Sequence, residues 1–441
     1  MKRTSPIWIL LLLASVLLLA SCSDSSSATN APDETATPGE SASATNVPQP
    51  LPESLQRVLD RVADVRELDA PPALNVEFVP RSRVTELLDE LTTDGDREWF
   101  AKLTDLYRLL GHLPNDQTYL DVYRSFGGTA VLGLYSPPHD TLWVVHKDGE
   151  APDMDSLSKA LEETLAHEFV HAVQDYHFDL VAADDTFEEN LDISQVWTAI
   201  IEGDAMTHEQ LYSQRYLALP SGSVILASGS AQIPNVPPSI IRELYFPYTT
   251  GAEWVRNARQ QRGTGQIDAW LQRPPDGTAY ILHPELLDSG FEPAAVELPD
   301  LSSALGKGFE RTWQSTLGEF NLRNYLQLYA RASDAVNGAA GWAGDRFDIY
   351  KSGDEKSGDE VVATFRLHFG NDEEAAEFEA IYRDFLDRTR AEIVDEDGVT
   401  FATLRDGDVV GLAPREGTDV LFSIASNQDL ASRAINGLLR G

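Results

Sequence analysis

One stretch of the sequence restricts the fold more than any other. Apolar residues recur at helical spacing from Leu157 to Leu165, and no glycine or proline interrupts the chain between Leu157 and Leu180. This spacing predicts a long helix that begins after an N-cap at Asp155 or Ser156. The segment "TLAHEFVHAVQDYH", residues 164–177, places three of the chain's nine histidines on that helix. So many ionisable side chains indicate either an ordinary polar face or a bound metal ion.

Two of these histidines are spaced for a shared ligand. His167 and His171 enclose Glu168 in a His-Glu-x-x-His pattern. Residues four apart on a helix differ by about 40° and one turn, so both imidazoles can reach one zinc ion at about 2.0–2.1 Å. Glu168 is offset by about 100°, where its carboxylate can contact a metal-bound water without occupying a ligand position. The arrangement predicts a general base beside a water-activating metal, with a pair of solvated or core histidines as the alternative.

A catalytic zinc needs a third protein ligand and one open position. On a continuing helix His177 points about 240° away from His171, and Asp175 lies one further turn from the metal. His208 follows Glu202 on the next predicted helix and faces another direction. We therefore predict Glu202 as the third ligand and place the other three candidates behind it.

The sequence around Glu202 favours this assignment. The second helix is predicted to begin near Ile193, with Asp192 as its N-cap. Gly203 costs about 1 kcal/mol inside a helix, which a tight crossing with another helix would explain. The neighbours on the face of Glu202 are small and would let the first helix approach: Thr198, Ala199 and Ala205.

These motifs resemble those of a known enzyme family. A His-Glu-x-x-His helix followed by a glutamate on the next helix is similar to the thermolysin-like, or gluzincin, zinc metallopeptidases. With "EGDA", "FPYTTG", "ILHPE" and "GEFNLRNYL", the chain more narrowly resembles predicted bacterial neutral zinc metallopeptidase lipoproteins, in scattered segments between about residues 70 and 350. The resemblance implies one catalytic Zn²⁺ held by His167, His171 and Glu202, with Glu168 as the general base.

The same resemblance implies further parts of the site. The acidic residue that the family places four positions after the ligand glutamate is here Met206, so Asp204 is the candidate for orienting a ligand histidine. Related enzymes bind an extended peptide along a sheet edge, which implies "TAVLGLY" or "TLWVV" of a predicted hairpin before the motif. A donor to the reacting carbonyl oxygen is implied at Tyr248, Tyr245 or His283, although each can instead be structural.

The N-terminus is typical of an exported lipoprotein. Lys2 and Arg3 precede an apolar run at residues 7–19, which is too short to cross a membrane as a helix of about 20 residues. The ending Leu-Ala-Ser-Cys resembles the bacterial lipobox and predicts cleavage of residues 1–22 with lipidation of Cys22, the chain's one cysteine. Residues 23–51 are polar and lack aromatic side chains, so we expect a disordered tether.

The remaining chain predicts an α+β fold with two folded units. Residues 52–338 form a mainly helical, zincin-like catalytic domain with a small N-terminal sheet or hairpin. Residues 339–441 form an α+β domain whose strands include "RFDIYKS", "EVVATFRLHF" and "VLFSIA". The acidic segment "AADDTFEENLD", residues 182–192, predicts a solvated loop; calcium is an unsupported alternative there, because the segment lacks the glycine and alternating spacing of calcium loops.

These features together predict an extracytoplasmic zinc metallopeptidase, lipid-anchored at a bacterial membrane and acting on peptide or protein substrates. The net charge of −37 would repel phosphate backbones and argues against nucleic acid as a partner. Two alternatives stay open at this point. One is a zincin-like binding or scaffolding lipoprotein without turnover, and the other is a metal-dependent hydrolase of non-peptide bonds.

Overall fold

The computed structural model describes residues 50–150, 152–187, 189–218, 233–353 and 360–440. Helices and strands of these residues form an α+β fold with a three-stranded sheet and a seven-stranded sheet, which confirms the predicted fold class. The predicted signal peptide with Cys22, and residues 23–49 of the predicted tether, lie outside the described residues. Within the described ranges, no helix is both long enough and apolar enough to cross a membrane.

The elements before the histidine motif agree closely with the apolar spacing of the sequence. The first helix buries Leu55, Val58, Leu59 and Val62, which recur at the i, i+3, i+4, i+7 spacing of an amphipathic helix. In chain order the elements are α1 (Glu53–Arg66), β1 (Asn75–Pro80), α2 (Val84–Leu91), α3 (Asp94–Leu109), α4 (Tyr119–Ala130), β2 (Gly133–Ser136) and β3 (Thr141–His146).

A helical region follows and contains the motif. Its helices are α5 (Lys159–Phe178), α6 (Leu180–Phe187), α7 (Leu191–Tyr212), α8 (Pro238–Tyr245), α9 (Ala252–Arg262), α10 (Thr264–Gln272) and α11 (Ala279–Leu282). A π-helical turn, Pro247–Gly251, joins α8 to α9.

Local details of this region differ from the prediction. Ser158 caps α5 and Asn190 caps α7, each by accepting hydrogen bonds from backbone N–H groups of the first turn, so the caps are not Asp155, Ser156 or Asp192. Most of the predicted acidic loop 182–192 instead belongs to α6. Leu180 is buried and Phe187 packs against the same apolar cluster two turns later, and this burial outweighs the polar composition of the segment.

The small sheet lies against α5. Its strand order is β1-β3-β2, with β1 parallel and β2 antiparallel to β3. The predicted hairpin is present, but "TLWVV" forms the central strand β3 and cannot be an edge. Only the end of "TAVLGLY" is strand, and this strand, β2, is the edge that contacts α5.

The large sheet is antiparallel throughout, in the order β4-β5-β6-β10-β9-β8-β7. A helix covers each face of this sheet. Phe422 contacts Tyr382 of the helix Asp372–Thr389 on one face, and the adjacent Ser423 donates a hydrogen bond to Ala431 O of the helix Gln428–Leu438 on the other. The elements are α12 (Ser302–Leu305), β4 (Phe309–Ser315), α13 (Gly318–Leu326), α14 (Ala332–Ala339), β5 (Trp342–Ser352), β6 (Val361–Phe369), α15 (Asp372–Thr389), β7 (Glu392–Glu396), β8 (Val399–Thr403), β9 (Val409–Leu412), β10 (Asp419–Ala425) and α16 (Gln428–Leu438).

One hydrophobic core joins this sheet to the N-terminal helices. Trp99 of α3 packs edge-on against Trp313 of β4, with ring centroids 5.2 Å apart, and Lys351 of β5 pairs with Asp105 of α3 at 2.9 Å. The strand β4 precedes residue 339, so the sheet extends upstream of the boundary that composition predicts between residues 338 and 339.

A buried aspartic acid, Asp192, lies in the first turn of α7 next to this core. The carboxyl of Asp192 is fully buried, and its Oδ1 accepts hydrogen bonds from the N–H and hydroxyl of Thr278 at 3.0 and 2.6 Å. Gly318, at φ +80°, leaves no space beyond it, because a Cβ there would lie 1.9 Å from Oδ1. Burial raises the pKa of Asp192 to about 8 despite the Thr278 hydrogen bonds, with Asp345 and Glu319 adding to the rise.

The raised pKa of Asp192 predicts a pH-dependent stability. Because an unfolded aspartate titrates near pH 3.9, the stabilisation from the buried acid is complete below about pH 4 and is lost as pH rises toward 8. Relative to Asp192→Asn, which cannot ionise, the wild type should therefore lose up to about 1.4 kcal/mol of stability per pH unit in this window. Urea unfolding at pH 5, 6, 7 and 8 measures the difference, with Asp116→Asn on the surface as control. A pH-independent difference would contradict the assignment.

Candidate metal centre

Helices α5 and α7 bring the three predicted ligands to one point. The Nε2 atoms of His167 and His171 lie 3.2 Å apart, and Glu202 Oε2 lies 3.3 and 3.5 Å from them, respectively. Among the described residues, this is the one group of three or more His, Cys, Asp or Glu side chains whose ligand atoms all lie within 4.8 Å of one another.

The size of this triangle fits a zinc ion. Zinc–ligand distances of about 2.0–2.1 Å at a tetrahedral angle of about 109° place neighbouring ligand atoms about 3.3–3.4 Å apart. The observed edges of 3.2, 3.3 and 3.5 Å match this value without any movement of the backbone. Three such atoms fill one face of a tetrahedron and leave a fourth position for water or substrate.

Burial of Glu202 also favours a cation. Its side chain is fully buried beside the two ligand imidazoles and the Tyr248 hydroxyl, and no Lys or Arg among the described residues forms an ion pair with it. An ionised carboxylate in such surroundings costs several kcal/mol unless a positive charge balances it. Burial raises the pKa of Glu202, but the two histidines outweigh this effect and lower it to about 2. The carboxylate is therefore ionised and needs a positive partner.

Without a metal, that partner is a proton on His167. Burial lowers the pKa of this imidazole, but the carboxylates of Glu202 and Glu209 outweigh burial and raise it to about 10. A divalent cation and this proton compete for the same Nε2 lone pair. Metal binding at the centre should thus release a proton.

A carboxylate that the sequence analysis missed orients His167. Glu209 Oε2 lies 2.9 Å from His167 Nδ1, and because a carboxylate only accepts, Nδ1 carries the proton and Nε2 is left for a metal. Glu209 lies seven residues after Glu202, two turns along the same face of α7. That spacing is the signal that could have identified it.

His171 is oriented by a hydrogen bond to Gln174 and not by a carboxylate. Its Nδ1 lies 2.9 Å from Gln174 Oε1, while the amide nitrogen of Gln174 donates to Ile201 O and to Asp204 Oδ2 at 3.0 and 2.8 Å. Asp204, predicted to orient a histidine directly, contacts neither ligand imidazole and acts through Gln174. Arg66 then neutralises Asp204 through a 2.8 Å ion pair in which both side chains are fully buried.

The carboxylate of Glu168 lies next to the ligands and against the edge strand. Its Oε2 accepts a hydrogen bond from the Tyr135 N–H of β2 at 3.0 Å. Gly133 makes room for it, because a Cβ at this position would lie 2.6 Å from Glu168 Oε1. Burial raises the pKa of Glu168 to about 7, although both ligand histidines lower it. A carboxyl that titrates near neutral pH suits proton transfer in both directions.

The other candidate ligands lie away from the centre. His177 is exposed and bonds to Asp69 O at 2.9 Å, and Asp175 accepts the Tyr135 hydroxyl at 2.9 Å. The ring of His208 lies beside the Asp204 carboxylate at 3.0 Å. The structure thus excludes these three side chains from the ligand triangle, as the helical geometry predicts.

The small residues of α7 do allow a tight contact with a neighbouring helix, but this neighbour is not α5 as predicted. The contact is with the π turn and α9, and it brings a tyrosine of the π turn to the metal centre. A Cβ at Gly203 would lie 2.7 Å from Val255, and a Cβ at Gly251 would lie 2.8 Å from Ala199. Gly203 and Ala199 therefore allow α7 to approach the π turn and α9, and do not face α5. Of the small residues named above, Ala205 shares the apolar cluster of α5.

Tyr248, on that π turn, is the one of the three implied oxyanion donors that lies beside the ligands. Its hydroxyl is buried close to Glu202, and burial together with the charges of Glu202 and Glu168 raises the pKa of Tyr248. His283 instead bonds to Glu319 at 2.7 Å. Tyr245 is near enough to influence the Tyr248 hydroxyl and lines a separate cavity.

Comparison with known proteins informs only the C-terminal part of the chain. Residues 307–434 match a family model described as a domain of unknown function (DUF8575). This segment contains the seven-stranded sheet and does not reach the metal centre. The chain matches no curated protein and no solved structure.

Loss of the Glu209 contact should weaken metal binding. Glu209→Ala removes the acceptor that fixes the His167 tautomer, so we expect the zinc Kd to rise about 10–100-fold. Glu209→Gln should have a smaller effect, because an amide oxygen still accepts the Nδ1–H. Competition with a chromophoric chelator measures the Kd.

Glu163→Gln is the matched control for this experiment. Glu163 is another buried glutamate close by, but its carboxylate accepts the Ser213 hydroxyl at 2.8 Å and contacts no ligand histidine. Equal zinc affinity in the wild type and Glu209→Ala, or equal losses in Glu209→Ala and Glu163→Gln, would contradict an orienting role for Glu209.

Proposed function

We propose that this protein is a zinc metallopeptidase, exported and anchored by a lipid at Cys22, that hydrolyses peptide bonds. The observation that carries the proposal is the triangle of His167, His171 and Glu202 ligand atoms, with edges of 3.2–3.5 Å, together with a buried Glu168 that is close enough to interact electrostatically with all three. Hydrolysis at a metal needs both parts: ligands that leave a position open, and a carboxylate that is not itself a ligand.

Glu168 supplies the acid–base chemistry in this proposal. A zinc ion, when bound, would polarise the substrate carbonyl and lower the pKa of water from about 15.7 toward about 7. Glu168 accepts the proton of the attacking water and passes it to the leaving amine. The Tyr135 N–H fixes one of its oxygens at 3.0 Å, so the carboxylate is oriented before substrate arrives.

The hydroxyl of Tyr248 supplies a hydrogen-bond donor for the carbonyl oxygen that becomes negative during the reaction. The buried hydroxyl lies close to Glu202 and can donate to that oxygen when a substrate is bound. Its raised pKa keeps the phenol protonated at neutral pH, as a donor must be.

The strand β2 supports a peptide as the substrate. It is an edge strand, and the Tyr135 N–H points away from β3 toward Glu168, so its unpaired side runs along the proposed general base. An extended chain can add to such an edge through main-chain hydrogen bonds. A peptide bond laid there lies next to the carboxylate that protonates its nitrogen.

Glu168→Gln tests this function most simply. The variant keeps every ligand and should bind one zinc per chain, but it lacks a proton acceptor and should lower kcat for peptide cleavage by about 10³-fold or more. Mass spectrometry of a peptide library incubated with zinc-loaded protein measures cleavage, and Glu163→Gln should cleave at close to the wild-type rate. Undiminished cleavage by Glu168→Gln would contradict the role of Glu168. A zinc-loaded wild type that cleaves no peptide would favour a scaffold or a non-peptide hydrolase.

Lipid attachment has a separate test. Expressed at full length in a bacterium that processes lipoproteins, Cys22→Ser should lose incorporation of labelled fatty acid and leave the membrane fraction. Ser25→Ala, three residues further along the tether, should retain both properties. Equal fatty-acid labelling of Cys22→Ser and the wild type would contradict the anchor.

A further inference from the structure

A separate cavity, lined by both apolar and polar side chains, lies next to Tyr245. It has a volume of about 270 Å³ and lies between α8 with its π turn and α13. Arg242, Tyr245, Arg323 and Asn324 contribute its polar lining. Thr249 and Thr250 also line it and are exposed or nearly so at the surface, so the cavity opens to solvent.

The two arginines of this cavity lack an acidic partner. Arg242 Nε donates to Asn324 Oδ1 at 2.9 Å, but its Nη2 is buried and has no hydrogen-bond partner among the described residues. The described carboxylates form no ion pair with Arg242 or Arg323, and none of them lines the cavity. Glu319 is near enough to Arg323 to feel its charge, yet accepts its hydrogen bond from His283 at 2.7 Å.

The surroundings of Arg242 differ from those of the fully buried Arg66. Acidic residues outnumber Lys and Arg by 71 to 34, so carboxylates are abundant partners. Arg66 pairs with both Asp204 and Asp268, whereas Arg242 is only partly buried and pairs with no described carboxylate. Burial alone shifts the pKa of Arg242, downward, with no carboxylate to offset it. A guanidinium presents parallel donors that fit a carboxylate, which is the group this cavity lacks.

The helical segment that lines the cavity also contains Tyr248 of the metal centre. Arg242, Tyr245 and Tyr248 follow each other at three-residue steps along α8 and the π turn, and Tyr248 lies beside Glu202 and Glu168. At about 1.5 Å per residue, Arg242 is about 9 Å along the helix axis from Tyr248. An extended peptide rises about 3.3 Å per residue, so this distance corresponds to two or three substrate residues.

We propose that Arg242 and Arg323 bind a carboxylate of the substrate, two or three residues from the bond that is cut. This inference rests on the peptidase function proposed above. The carboxylate comes either from the C-terminus of the peptide or from an Asp or Glu side chain. Either source would make the enzyme prefer peptides with a carboxylate at this position. Without the two arginines, the negative charge of the enzyme would disfavour such peptides.

Binding of three related peptides tests the proposal and separates the two sources. The probes are an acetylated pentapeptide of Ala and Leu with a free C-terminus, its C-terminal amide, and the amide with Asp as last residue. They are titrated calorimetrically into the zinc-loaded Glu168→Gln protein. At least one anionic probe should bind 10-fold or more tightly than the neutral amide, and the tighter of the two identifies the source. Equal affinities for all three, or no binding, would overturn the proposal.

Variants assign this preference to the cavity. Arg242→Gln should reduce the preference to within about 2-fold while leaving the neutral amide unaffected. Arg323→Gln should reduce it as well, and it breaks no side-chain hydrogen bond among the described residues, so it serves if Arg242→Gln misfolds. Arg256→Gln on α9, outside the cavity, is the matched control and should keep the preference. Retention in both cavity variants would overturn the assignment.

The outcomes also separate this inference from the proposed function. If the wild type cleaves peptides equally well with and without a substrate carboxylate, the peptidase proposal stands and the proposed carboxylate site is wrong. If the protein cleaves no peptide but binds carboxylates selectively through Arg242, the cavity is a binding site and the peptidase proposal is wrong.

Discussion

Glu202 brings a fully buried negative charge to the contact between α5 and α7, where no described Lys or Arg forms an ion pair with it. Such a charge is tolerated only next to a positive one, and the two imidazoles 3.3 and 3.5 Å away are the groups that can share a cation with it. Much of the surrounding structure follows from this requirement. The helices must pack closely, the imidazoles must present Nε2, and the groups behind them must hold Nδ1.

The groups behind the imidazoles come from distant parts of the chain. Glu209 holds His167, while Gln174 links His171 to Asp204 and, through it, to Arg66 of α1. Arg66 also pairs with Asp268 of α10, so the N-terminal helix and a helix two hundred residues later meet at one buried charge. These contacts orient the ligand atoms before any metal arrives, which reduces the conformational cost of binding.

Sequence reasoning succeeded where local helix geometry decides the answer. Four-residue spacing alone aligns His167 with His171, and helical direction alone excludes His177. Glu202 also lies with the two histidines, and its role as a zinc ligand stays a prediction. One reason given for it was wrong, because Ala199 and Gly203 face the π turn and α9, where Gly251 and Val255 lie.

Residues placed by tertiary packing were harder to anticipate. Spacing permits Glu209 or Asp204 to reach a histidine, and only the rotation of α7 against α5 decides between them. The contact of Tyr248 with the centre and the extension of the large sheet to β4 depend on long-range packing that no short pattern encodes. The acidic segment that forms α6 shows the same limit, since buried Leu180 and its neighbours outweighed composition.

The most direct measurement is an anomalous difference map at the zinc absorption edge, from crystals of the protein grown with one equivalent of Zn²⁺. The account predicts one strong peak, about 2.0–2.1 Å from the Nε2 atoms of His167 and His171 and about 2.0–2.2 Å from a Glu202 oxygen. A map with zinc only at surface carboxylates, or with Glu202 turned away from the peak, would contradict it.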